Sequence, residues 1–217
     1  MDNKYVYWQD PETIKKLIKS LEKGKVSVAA SDTVLGLLAD TSQAGFDELN
    51  KVKKRFTKPY IILINSPRKL LHFIDVDFDD QLKRLINKCW PGPVTIIFKS
   101  KRTIPVYLKS FGDTIAIRIP KCDDLLNLLQ SFEGLFSTSA NISGDPVPED
   151  VNELDLNIID SVDYIVLDKS SKDNKYSVVP STILDCTGPK IKLVREGVYP
   201  VKELEEIYGE SFIRSSK

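Results

Sequence analysis

The chain is poor in the side chains that do chemistry unaided: three cysteines, one histidine and one methionine in 217 residues. Cys89, Cys122 and Cys186 stand far apart and odd in number, and none belongs to a CxxC pair. That argues against a disulfide framework or a zinc knuckle and reads as reduced thiols in a cytosolic protein. The lone His72, in LLHFID, has no Ser or Cys motif beside it, so a Ser-His-Asp or Cys-His hydrolase has little support. GxxxxGK[ST] and GxGxxG are both missing, which removes the P-loop and the Rossmann fingerprint. No apolar run reaches the length of a membrane span, and the opening MDNKYVYWQD has no apolar h-region. The expectation is a cytoplasmic protein with no membrane contact. Charge of one sign is also lacking: 31 Lys plus Arg balance 31 Asp plus Glu. Overall charge therefore gives no support for nucleic-acid binding.

What is present reads as an ordinary globular protein, 41% hydrophobic and 29% charged, with one domain expected over residues 1–217. Asp10-Pro11 reads as a helix start, followed by Ile14, Leu17, Ile18 and Leu21 at helical spacing and a stop at Gly24. KVSVAA (25–30) reads as a strand running into SDTVLGLLAD. A helix is expected over 44–54, and YIILIN (60–65) reads as a strand buried on both faces. Residues 79–90 give another helix, VTIIFK (94–99) and TIAIRIP (114–120) strands, and 123–131 a Leu-rich helix. DYIVLD (163–168), STILDC (181–186) and IKLVRE (190–195) are strand-like, with a short helix near 201–208. Alternating strands and helices that give way to strands favour one α/β domain with a mixed sheet. DKSSKDNKYS (168–177) reads as a polar turn or a flap over a site.

The candidate functional residues are polar and basic groups at strand ends. KVKKRFTK (51–58) gathers cations at a helix C-terminus, either to complement the dipole or to clamp a phosphate. Arg118 sits among apolar residues in AIRIP, where an unpaired guanidinium is costly; a structural carboxylate or an anionic ligand must meet it. Arg195 in KLVREG repeats the arrangement. Ser31, Asp32 and Thr33 follow a strand, with Asp32 suited to cap a turn and Gly36 allowing close backbone approach. STSANISG (137–144) is either a polar turn or a cradle. Trp90 in WPGPVT reads as core.

Taken in order, SDTVLGLLAD, KKRFTKP, WPGPVT, AIRIP with STSANISG, and STILD with LVREG resemble the YrdC/Sua5 family over roughly residues 10–200. Ser31 and Leu35 stand where the family commonly has Thr and Tyr, and Phe56 where it usually has Pro. The resemblance implies an α/β fold with a twisted mixed sheet and flanking helices around a large, positively lined cavity. It also implies threonylcarbamoyl-AMP synthase activity: L-threonine, bicarbonate or CO₂ and ATP give L-threonylcarbamoyladenylate and pyrophosphate, for modification of tRNA adenosine 37. Mg²⁺ would enter with ATP, held mainly by its phosphates. No protein nucleophile is expected. By carry-over, Thr33, Arg118, Thr138 and Ser181 would contact threonine, while Lys53, Arg55, Lys58, Thr114, Ser139, Asn141 and Arg195 would contact ATP. The product would pass to a tRNA threonylcarbamoyl transferase complex, with weak tRNA contact as a further expectation. The chain's length corresponds to the short, single-domain form or to the catalytic domain of a longer one. Two alternatives stand beside this: an RNA-binding module and a carbamoyl-transfer domain of the hydrogenase-maturation type.

Overall fold

Short apolar runs separated by polar turns pair into one continuous mixed sheet. The computed structural model describes residues 4–54, 59–75, 78–169 and 175–214. In chain order the elements are β1 (Tyr5–Tyr7), α1 (Thr13–Leu21), β2 (Val26–Ala30), β3 (Leu35–Asp40), α2 (Gln43–Lys53), β4 (Ile61–Leu63), α3 (Leu70–Phe73), α4 (Asp80–Cys89) and β5 (Val94–Lys99). There follow β6 (Thr114–Arg118), α5 (Asp123–Leu128), β7 (Leu135–Ser139), α6 (Leu156–Ser161), β8 (Tyr164–Leu167), β9 (Thr182–Asp185), β10 (Lys192–Arg195), α7 (Val201–Tyr208) and β11 (Ile213–Arg214). The strand order is β1-β8-β2-β3-β7-β4-β6-β5-β9-β10-β11. Parallel pairs such as β4–β6 and β5–β9 are mixed with antiparallel ones such as β3–β7 and β5–β6.

Period-two alternation divides the sheet's side chains between two faces. Leu35, Leu37, Ile62, Ile96, Ile115, Ile117 and Phe136 point into the larger core, which they share with Leu49 of α2, Leu85 of α4 and Leu204 of α7. Leu38, Leu63, Leu135 and Val166 point the other way, against Leu17 and Leu21 of α1 and Leu125 and Leu128 of α5. The helices on this second face meet only part of it. Further along the same face short or polar residues such as Gly36, Ala116, Ser137 and Ser139 interrupt the apolar ones, and a cavity opens.

Several boundaries differ from the sequence reading for local reasons. The Asp10 carbonyl accepts from the Thr13 amide at 3.0 Å, so Asp10-Pro11 forms a turn and the helix begins after Glu12. The strand expected over 114–120 ends at Arg118, since the Ile119 carbonyl accepts from Gly92 and Pro120 has no N–H. The 123–131 helix is α-helical only to Leu128, then tightens into a 3₁₀ turn over Leu129–Ser131. Ser42 caps α2 by accepting from the Gly45 amide, and Asp79 caps α4 by accepting from Leu82. STSANISG is not wholly a turn: Ser137–Ser139 belong to β7, between β3 and β4 in the interior of the sheet.

Candidate active site

The cavity, about 360 Å³, lies over the middle of the sheet. Its floor is a single cross-strand row: Ser137 of β7 pairs with Ile61 of β4, Ile61 with Ala116 of β6, and Ala116 with Ile97 of β5. Two residues along β6 stands Arg118, and two residues the other way Thr114. The strand rises about 3.3 Å per residue, so these positions are about 13 Å apart. Pairing of Thr95 with Ile183 and of Ile183 with Arg195 carries the second arginine to the Arg118 end.

Arg118 is 4% exposed and lines the cavity. Its Nε donates to the Gly92 carbonyl at 3.1 Å, Nη1 to the Thr33 hydroxyl at 2.8 Å, and Nη2 to Asp32 Oδ1 in an ion pair. A structural carboxylate therefore meets this buried charge. A guanidinium carries five N–H donors, so two have no partner among the described residues and can serve a group in the cavity. Burial pushes the Arg118 pKa down, and the Asp32 charge pulls it back up. The second oxygen of Asp32 is buried with no hydrogen-bond partner among the described residues.

Arg195 reaches back over its strand. Its Nε and Nη2 donate to the Ser181 carbonyl at 3.2 and 3.0 Å. The Ser181 hydroxyl lies 2.8 Å from that of Thr95. Crowding by protein atoms, then the nearby Arg118 charge, lowers the Arg195 pKa. Two guanidiniums thus share one end of the cavity, and among the described residues the one carboxylate paired with either is Asp32, which does not line the cavity itself. The local excess is positive, which suits an anion.

Of the residues singled out from the sequence, Thr33, Arg118, Thr138, Ser139, Ser181 and Arg195 all line this cavity. Thr114 shares the face of β6 with Ala116 and Arg118, and its hydroxyl donates to the Phe111 carbonyl at 2.8 Å. Lys53 and Asn141 stand behind the wall. Lys53, 2% exposed, donates from Nζ to the carbonyls of Ser139 and Asn141 at 2.5 and 2.6 Å and to Asn141 Oδ1 at 2.6 Å. It ties α2 to the polar loop. Arg55 and Lys58 lie outside the described residues, as do residues 170–174 of the segment considered as a flap. His72 is a surface residue, 2.7 Å from Glu133, and Trp90 is core, its Nε1 donating to the Val94 carbonyl at 2.6 Å.

Sequence reading missed Asp32 as the partner of Arg118, Thr95 as the partner of Ser181, and the floor residue Ala116. Ala116 was within reach, because strand alternation puts i−2 on the face of any residue already chosen. It also passed over Gly197. A Cβ there would lie 2.1 Å from the Pro180 carbonyl oxygen and 2.4 Å from the Ser181 carbonyl carbon. Gly197→Ala is expected to cost about 2 kcal/mol or more by forcing these backbones apart. Denaturant unfolding measures this, and an unchanged midpoint would mean the β9–β10 wall shifts freely.

Residues 19–197 match the family model described as "Telomere recombination", which covers Sua5, YciO and YrdC proteins. The chain belongs to this family. A Methanocaldococcus jannaschii protein provisionally named a threonylcarbamoyl-AMP synthase is 34% identical over 92% of this chain and 94% of its own length. A Pyrococcus abyssi protein named threonylcarbamoyl-AMP synthase is 28% identical over 88% of this chain, which spans 55% of that longer protein. The solved structure of P. abyssi Sua5 complexed with L-threonine superposes with a TM-score of 0.84 at 26% identity, covering 96% of this chain and 61% of that one.

Proposed function

We propose that the chain is an L-threonylcarbamoyladenylate synthase, which makes the activated intermediate for threonylcarbamoyl modification of tRNA adenosine 37. The observation that carries this reading is Arg118: buried, steadied on three sides, with two N–H groups left for an anion beside the Thr33 hydroxyl. A threonine carboxylate suits that position. The names of the M. jannaschii and P. abyssi relatives, and threonine in the P. abyssi complex, support it.

The chemistry asks for positioning. The amine nitrogen of threonine attacks CO₂ and loses a proton, giving a carbamate. A carbamate oxygen then attacks the α-phosphorus of ATP. The bond from that phosphorus to the bridging oxygen breaks, and pyrophosphate leaves with the electron pair. No protein nucleophile is required; the reactants must be held in line and their charge compensated. The described wall supplies hydroxyls from Thr33, Thr138, Ser139 and Ser181 and two guanidiniums, but no carboxylate. Such a wall does not suit direct coordination of Mg²⁺, so the metal would travel on the phosphate oxygens, as Mg²⁺ commonly does. Among the described residues, no cluster of three His, Cys, Asp or Glu forms a metal site.

The RNA-binding alternative is less supported. Three lysine ammoniums that could face a phosphate backbone instead cap backbone carbonyls: Lys4 on Ile159, Lys69 on Leu129 and Lys101 on Leu71. Cys89, Cys122 and Cys186 are free thiols, which suits the proposed cytoplasmic location. Among the described residues, no helix is long and apolar enough to cross a membrane.

The test is pyrophosphate release from ATP. Release is expected only when L-threonine and bicarbonate are both present, and equal release with serine or with no amino acid would overturn the assignment.

A further inference from the structure

The cavity is chemically lopsided. Both guanidiniums stand at the Arg118 end. At the other end, in the turn that precedes β6, stands Phe111, a large apolar side chain that lines the cavity yet is 70% exposed. A singly exposed apolar residue is ordinary, but this one is held in place. The Ser110 amide donates to the Thr114 carbonyl at 2.6 Å, and the Thr114 hydroxyl donates back to the Phe111 carbonyl at 2.8 Å. Lys109 and Asp113 close the same turn with a 2.7 Å ion pair. Gly112 completes it at φ +62°, where L side chains are rarely found. Val194, also exposed, and Pro59 line the same cavity.

We propose that Phe111 is the platform on which the purine base of the nucleotide stacks, with the amino acid at the Arg118 end and the phosphates between. This rests on the synthase reading above and adds the direction in which the ligand lies. Arg118 and Thr114 are about 13 Å apart along the strand, room for a phosphate and ribose between an amino-acid carboxylate and a base. The alternative apolar group, the methyl of threonine, is too small to cover a phenyl face and a valine.

Two variants test it in the full chain: Phe111→Ala and Phe111→Trp. Loss of the ring should raise KM for ATP about tenfold, the order of one base–aromatic contact, and leave KM for threonine and the melting temperature unchanged. The tryptophan variant should keep the wild-type KM. Its fluorescence should be quenched by ATP and by AMP but not by inorganic tripolyphosphate. The native Trp8 and Trp90 are both 6% exposed, which leaves position 111 as the solvent-facing reporter. An unchanged KM for ATP in Phe111→Ala, a rise confined to threonine, or quenching by tripolyphosphate would each overturn the platform. The two proposals fail separately. Wild type that binds AMP without threonine-dependent pyrophosphate release sinks the synthase reading alone. Active enzyme indifferent to Phe111→Ala sinks the platform alone, and wild type that neither turns over nor binds ATP sinks both.

Discussion

Arg118→Met is expected to lower the free energy of unfolding by about 3–5 kcal/mol, the usual result of removing one member of a buried ion pair. The pair formed with Asp32 is nearly dry, with side-chain exposures of 5% and 12%. Removing the guanidinium leaves that carboxylate with one oxygen newly unpaired and the other already without a partner among the described residues. The Gly92 carbonyl and the Thr33 hydroxyl lose a donor as well. Asp32→Asn combined with Arg118→Met should recover at least half of the loss, since an amide is far cheaper to bury than a charge. Urea unfolding of wild type, both single variants and the double variant closes the cycle. A loss below about 1 kcal/mol for Arg118→Met would mean that Asp32 finds water on its own.

The same variant reports on function. Without Arg118, threonine-dependent pyrophosphate release should fall at least about a hundredfold at fixed threonine, while ATP binding by the folded protein is kept. The double variant separates the two effects. It should regain stability without regaining threonine use, because the donors that face the cavity are still gone. If ATP binding is lost and threonine use persists, the carboxylate of threonine lies elsewhere.

How far the sequence reached depends on which physical signal each feature leaves. β5 and α7 were legible residue for residue, because VTIIFK and the 201–208 helix carry their own periodicity and breakers. β1 and β11 were not: strands of three and two residues have no period to read, and both are fixed only by a distant partner, β8 and β10 respectively. In the site, Arg118 was visible as a charge in an apolar strand, but its partner was not. Asp32 lies 86 positions earlier and looks locally like a turn residue. Only the folded sheet brings them together. Thr95 and Ser181 have the same history, two hydroxyls 86 positions apart that meet inside the wall. Polar residues at strand ends announce that a site is near; their pairing is tertiary information.

Lys53 gives the sharpest test of that limit. In sequence it belongs to a basic cluster suited to phosphate, and in the fold its ammonium is buried among oxygens of Ser139 and Asn141. The Lys53 carbonyl also accepts from the Ser143 amide, so one residue fixes both sides of the loop. Lys53→Met keeps the length and apolar stem but removes the charge and its donors. Two backbone carbonyls and the Asn141 side chain then lose donors in a confined space, so a loss of about 2–4 kcal/mol is expected. A residue that acted only as a phosphate cation would behave otherwise: KM for ATP would rise and stability would hold or improve. Thermal unfolding and ATP titration of Lys53→Met therefore divide the two roles. Weaker ATP binding at unchanged stability would assign it to the phosphates, whereas a fall in stability, whether or not ATP binding weakens with it, is expected if the lysine acts through the loop. The Ser137–Gly144 stretch would then owe its shape as a binding wall to a cation it hides, with no need for that cation to touch the ligand.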